Sequence, residues 1–377
     1  GLPQAYLPKF LRRYQGVCDR HATGTYAESI WQTECGSDAG VSRPHGVTFP
    51  PGLTPQDQAA AAAHQYLITK AAGGPDIDHK ALWYLPTDGW GRPIGGWWAS
   101  GFFDTGRCAK ASALAVRTVA EHLRDTTCIG VISTTGRDQA MVFRRGRQFV
   151  VAVWASTKTY RTTSRQLLGG IGIVGVDAGS GVTLSLPTTG DVRITDLMGN
   201  EQLVPGTQNG LTIEADQYPV LVYGLAPSLL HAAGRQGIEI ACDDAAKAFT
   251  QASVEDLLPR LTECRKQALL ALGNDEQTSG ARLSTARQGI DTLVRDLLRR
   301  TVSGQAGRQE EFVCLNLWRA ADILSEVEAY HNLNTRKDLD VSSAASTAEA
   351  QVTSMRTARE VDSYAPKTAA ILRLAER

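Results

Sequence analysis

The chain has 377 residues, enough for two or three domains with separate cores. Lysine plus arginine and aspartate plus glutamate number 39 each, so no net charge draws the chain to nucleic acid or to an anionic membrane, and a neutral partner is expected. No apolar run approaches the roughly 20 residues that a membrane span needs. Cys18, Cys35, Cys108, Cys128, Cys242, Cys264 and Cys314 are scattered without Cys-x-x-Cys spacing, and the seven histidines form no zinc-ligand pattern, which argues against a metal site and against a disulfide framework. One or two bridges stay possible, so the cysteines leave the compartment open; an extracellular or periplasmic setting is the one favoured.

The chain begins at Gly1 within what reads as the middle of an element, so a cut or processed piece is expected. Leu7, Phe10, Leu11, Tyr14 and Val17 recur at helical spacing, and Gly24 ends that pattern. Ile30 to Gly36, Ile-Trp-Gln-Thr-Glu-Cys-Gly, then reads as a buried strand with one carboxylate, Glu34, near its end. Such an acid is ordinarily the polar end of a strand; its surroundings give it a second reading. The polar loop through Pro51 carries Arg43 and His45. Thr54-Pro55-Gln56-Asp57 supplies an N-cap, a proline at the first helical position and an early acid, and Gly73-Gly74 supplies a stop, predicting a helix over Pro55 to Ala72. Its Ala60, Ala63, Leu67 and Ala71 make a narrow face of small residues. Lys80 to Leu85 reads as a second strand, parallel to the first because a helix separates them. After a glycine-rich loop crowded with Trp90, Trp97, Trp98, Phe102 and Phe103, Ala109 to Leu123 reads as a helix with Ala113, Val116, Ala120 and Leu123 inward.

From Gln139 the period changes to two. Gln139 to Arg144 and Gln148 to Ala155 flank Arg145-Gly146-Arg147 as a hairpin. Runs at 171–177, 182–186, 192–196, 201–204, 211–213 and 219–223 follow, so an antiparallel β-sandwich is expected up to about residue 226. Beyond Leu225 three amphipathic helices are marked by Val254, Leu257, Leu258 and Leu261; by Leu283, Ile290, Leu293, Val294 and Leu297; and by Val313, Leu317, Ala320, Leu324 and Val327. The Ala-rich tail from Ser343 to Arg377 reads as helical, the whole as a helical bundle without a cofactor motif. The expected domains are therefore 1–125, 126–226 and 227–377.

Trp31 to Gly36, Trp-Gln-Thr-Glu-Cys-Gly, resembles the Trp-x-Thr-Glu-x-Gly ending of the seventh strand in the clan A (β/α)8-barrel glycoside hydrolases. The Gln56-Asp57-Gln58-Ala59 helix start, the Leu82-Trp83-Tyr84 strand and the Asp104 to Lys110 segment match that group's usual continuation. A β-sandwich after the barrel is common there. The resemblance covers about Gly1 to Arg124, with looser support through Gly224. It implies the last strand-helix repeats of a barrel, a carbohydrate substrate, a retaining double displacement without a cofactor, and Glu34 as nucleophile. It also implies that the first six strands are missing, and with them the Asn-Glu acid/base pair; those repeats could sit on another polypeptide. The single Asn-Glu present, Asn200-Glu201, follows Gly199 and reads as a hairpin turn.

Trp83 offers a flat face to a sugar ring, or fills the core between strand and helix. Trp31 and His45 stand near Glu34 in sequence, and a core tryptophan and a solvated loop histidine are their other readings. A retaining mechanism needs two carboxyl groups about 5 to 5.5 Å apart, of which Glu34 can be only one. The alternative function is a non-catalytic carbohydrate-binding or scaffolding protein whose sandwich does the work, for which Trp154 is the only tryptophan available in that region.

Overall fold

A computed structural model describes residues 31–35, 54–72, 80–83, 101–103, 107–132, 138–155, 158–167, 170–178, 181–207, 210–251, 254–273, 280–302 and 309–335. The helix expected near Leu7 to His21, the loop with His45 and the tail from Ser343 lie outside the described residues. Strand β1 (Trp31–Cys35) pairs in parallel with β2 (Lys80–Trp83), and α1 (Pro55–Ala72) lies between them in sequence. The expected cap is present: the Asp57 amide donates to Thr54 Oγ1 at 3.1 Å and the Gln58 amide to the Thr54 carbonyl at 2.9 Å. The burial of α1 corrects the expected narrow face, because Ala59 to Ala63 are all buried. Short side chains all round let other elements approach α1 from every side.

Helix α2 (Ala111–Leu123) packs beside α1 and buries Ser112, Ala115, Thr118, Val119 and Leu123, not the expected Ala113, Val116 and Ala120. Apolar residues stand on every side of this helix, so its own sequence leaves its rotation open. The choice is made by contact with α1, where Ser112 Oγ donates to Gln58 Oε1 at 3.5 Å.

Beyond α2 the described sheets are antiparallel. Strands β3 (Thr127–Ile132), β4 (Asp138–Arg145) and β5 (Gln148–Ala155) are followed by β6 (Lys158–Leu167), β7 (Gly170–Ala178) and β8 (Val182–Leu186). Then come β9 (Thr188–Thr195), β10 (Glu201–Val204), β11 (Leu211–Ala215) and β12 (Val220–Leu225). Six of them form one sheet in the order β10-β9-β12-β5-β4-β3, while β8 pairs with β11 and β6 with β7. The run Phe149 to Ala155 is buried at every position, where alternation would leave one side polar. Both faces of β5 are covered, which removes the need for a polar side. Val151, Val153 and Ala155 enter one apolar cluster; Val150, Ala152 and Trp154 enter another with α1 and α2.

The opposite face carries the helices α3 (Pro227–Gln251), α4 (Leu258–Ala271, after a short 3-10 turn), α5 (Gly280–Val302) and α6 (Gln309–Thr335). Their buried Leu230, Leu261, Leu293 and Leu324 share a cluster with Leu184, Leu186 and Leu211 of the β8/β11 pair. Helix α3 lies directly on β3: a Cβ on Gly130 would meet the Ala233 carbonyl oxygen, and one on Gly237 would stand 2.6 Å from the Ile129 carbonyl oxygen. Two glycines facing across the contact let backbone approach backbone. A buried ion pair ties α6 to the sheet, with the Arg144 guanidinium on the Glu326 carboxylate and a further bond of 2.7 Å to the Gly146 carbonyl.

Candidate functional site

In the parallel pair, Trp31 stands beside Lys80, Gln32 beside Ala81 and Cys35 beside Trp83. Three steps along β1 therefore match two along β2, and the register is irregular between Gln32 and Cys35. Thr33 and Glu34 share the stretch opposite Leu82. Extra residues of this kind bend a strand and re-aim a side chain, and they recur beside active sites. Glu34 thus occupies the carboxyl end of β1 one residue before the partner of Trp83, which is the last residue of β2. Trp31 opens the same strand at the other end, four residues of β1 away from Cys35. His45 lies outside the described residues.

Helix α1 holds this pair against the large sheet. The Asp57 carboxylate is buried at the first turn of α1 and accepts bonds from Gln217 Nε2 and, at 3.1 Å, from the Tyr218 hydroxyl, both just ahead of β12. At the other end of the helix, Arg319 of α6 donates to the Ala71 carbonyl at 3.4 Å. Both contacts suit the helix polarity, an acid at the start and a cation at the finish.

The Asn200-Glu201 dipeptide is the connection from β9 to β10. Asp196 Oδ1 accepts from the amides of Met198 and Asn200 at 2.8 and 2.9 Å, Gly199 takes a φ of 85°, and Glu201 opens β10 exposed and 3.4 Å from Arg193. An acid in that setting is a turn residue. Trp154 is buried against α1, 5.1 Å from the His64 ring, so it offers no surface to a sugar and gives the carbohydrate-binding alternative no exposed platform.

A second cluster has no precursor in sequence reasoning. His122 at the end of α2 and Tyr223 of β12, 101 positions apart, share a hydrogen bond of 2.6 Å, and the Arg193 guanidinium lies 4.3 Å over the tyrosine ring. Burial, with Arg193 adding to it, lowers the pKa of His122 below its ordinary value; burial raises that of Tyr223. Its polar groups satisfy one another, as in a joint between two elements. No group of three or more histidine, cysteine, aspartate or glutamate side chains among the described residues could hold a metal ion.

No family model matches the sequence, and no curated protein matches it. Solved structures that are similar to it are glycoside hydrolases. A family 39 glycoside hydrolase from the gut symbiont Bacteroides cellulosilyticus is 15% identical over 57% of this chain and 37% of its own, with a TM-score of 0.42. A GH30 endoxylanase from Clostridium papyrosolvens is 12% identical over 52% of this chain and 42% of its own, with a TM-score of 0.30. The chain spans less than half the length of either. At these scores neither likeness transfers an activity, and the functional reading rests on the residues themselves.

The chemistry open to the strand-end site follows from Glu34, the one carboxylate among its described residues. A carboxylate can attack an electrophilic carbon or accept a proton, and a retaining glycosidase needs a second carboxyl group for the leaving oxygen.

Proposed function

We propose that this chain is the carboxyl-terminal portion of a glycoside hydrolase-like protein that cleaves glycosidic bonds with retention, with Glu34 as nucleophile. In this reading residues 1–125 are the last strand-helix repeats of a (β/α)8 barrel, 126–226 a β-sandwich and 227–377 a helical domain. The observation that carries it is the place of Glu34, at the carboxyl end of a parallel strand and inside a register irregularity. That end is where barrel enzymes keep their catalytic groups. The Glu34 carboxylate attacks the anomeric carbon as the bond to the leaving oxygen breaks, forming a glycosyl ester. A carboxylic acid from repeats outside this chain protonates that oxygen, then as a carboxylate takes a proton from the water that hydrolyses the ester. Trp83 supplies a stacking face, with Trp31 and His45 nearby in the chain. The substrate is a carbohydrate and the setting extracellular or periplasmic.

The test uses a polypeptide that contains both this chain and the preceding repeats. A fluorosugar inactivator should label Glu34, located by peptide mass mapping, and Glu34→Gln should lower kcat by several powers of ten while leaving the fold intact. Label on another carboxylate, or full activity in the glutamine variant, removes Glu34 from this role.

A further inference from the structure

We propose that the seam between α1 and the six-stranded sheet is an acid-operated latch, in which protonation of the His64 ring, buried against Trp154 without a hydrogen-bond partner, releases α1 from the sheet. His64 stands midway between the two polar pins of α1, seven positions after Asp57 and seven before Ala71. It is 1% exposed, its two ring nitrogens have no partner, and the ring packs 5.1 Å from that of Trp154, whose Nε1 is likewise unpartnered. A neutral imidazole is tolerated there because it stacks. An imidazolium is not, because a buried cation without an acceptor forfeits its hydration.

Among the described residues, the elements packed against α1 offer no compensation. Titratable side chains on these described elements include Arg117, Glu121 and His122 on α2, Cys128 on β3, Asp138, Arg144 and Arg145 on β4 and Arg319 on α6, with Asp57, Tyr66 and Lys70 on α1 itself; β5, which carries Trp154, has none. None contributes to the shift of His64, which burial alone takes from the ordinary 6.5 to about 3. Since the released helix binds the proton more readily than the docked one, docking is at full strength above pH 6.5 and weakens as the pH falls toward 3. Helix α1 joins β1 to β2, so its release loosens the strand pair as well. This holds whatever chemistry Glu34 performs.

Hydrogen exchange on the full 377-residue chain, corrected for intrinsic rates, reads the opening constant of the α1 amides directly. In the wild type that constant should rise about thirtyfold from pH 7.5 to 5, the factor set by an exposed histidine titrating while the buried one does not. In His64→Gln and His64→Phe the rise should vanish, whereas His122→Gln and His231→Gln, at two other histidines with lowered pKa, should keep it. An unchanged rise in a folded His64 variant, or loss of the rise in both control variants, overturns the latch. Nuclear magnetic resonance on histidine-labelled wild type decides the matter should neither His64 variant fold. The ring in contact with the Trp154 indole must stay neutral at pH 5, and its titration between 6 and 7 also overturns the latch.

Discussion

The two faces of the six-stranded sheet are held by different physics. Toward α3 to α6 the contact is a broad apolar cluster in which leucine, isoleucine and valine of α4 to α6 back the small residues of α3, sealed by the buried Arg144–Glu326 pair. Toward α1 and α2 the helices present alanines, and the seam carries polar groups, Asp57 with Gln217 and Tyr218 and the unpartnered His64, while Ser112 bonds Gln58 between the two helices. Alanine adds little apolar area but allows close approach, so a larger share of the specificity on this side rests on hydrogen bonds. The side that bears the strand pair is therefore the one that answers to pH.

The largest effect should come from the aliphatic face. Glu326→Ala leaves the Arg144 cation buried without its carboxylate and should cost about 3 to 5 kcal/mol, read as a drop in the urea midpoint. Combining Arg144→Met with Glu326→Leu should recover most of that loss, because the pair sits among apolar neighbours. A single variant within about 1 kcal/mol of wild type would mean that the pair is hydrated, and the contrast between the faces would weaken. On the other face, Asp57→Ala removes the acceptor that Gln217 Nε2 and the Tyr218 hydroxyl share and should cost about 1 to 3 kcal/mol. Hydrogen exchange should place the loss in α1 and leave α5 and α6 protected. Equal loosening of both faces would show that they unfold as one unit and would break the comparison. The smallest effect belongs to Glu201→Gln, which removes an exposed pair with Arg193 and should change stability by at most about 1 kcal/mol in a urea titration.

The strand-end site was legible in part. The β-favouring run before Gly36, the helix starting at Pro55 and the apolar run Ala81 to Trp83 place Glu34 and Trp83 at the carboxyl ends of two parallel strands, and the register pairs Cys35 with Trp83. The irregularity around Thr33 and Glu34 was not legible, since register is a property of two strands and each sequence knows only its own. The His122–Tyr223 joint was hidden for a similar reason. Nothing local on α2 or β12 marks residues that meet across such a separation.

What the sequence by itself determined is local: the Thr54 cap and Pro55 start of α1, the Arg145-Gly146-Arg147 connection between β4 and β5, and the leucine stripes of α5 and α6. Each depends on backbone preference or on a strong contrast between apolar and polar sides within a few turns. Tertiary structure alone decided the rest. Helix α3 escaped periodicity because much of its stripe is Ala233, Gly237, Ala241, Cys242 and Ala245, whose contrast with the polar side is small, and it exists where Gly130 lets a helix touch β3. The rotation of α2 was set by α1. The uninterrupted burial of β5 arose because helices cover the sheet on both sides, and two-sided burial erases the alternation by which a strand announces its core.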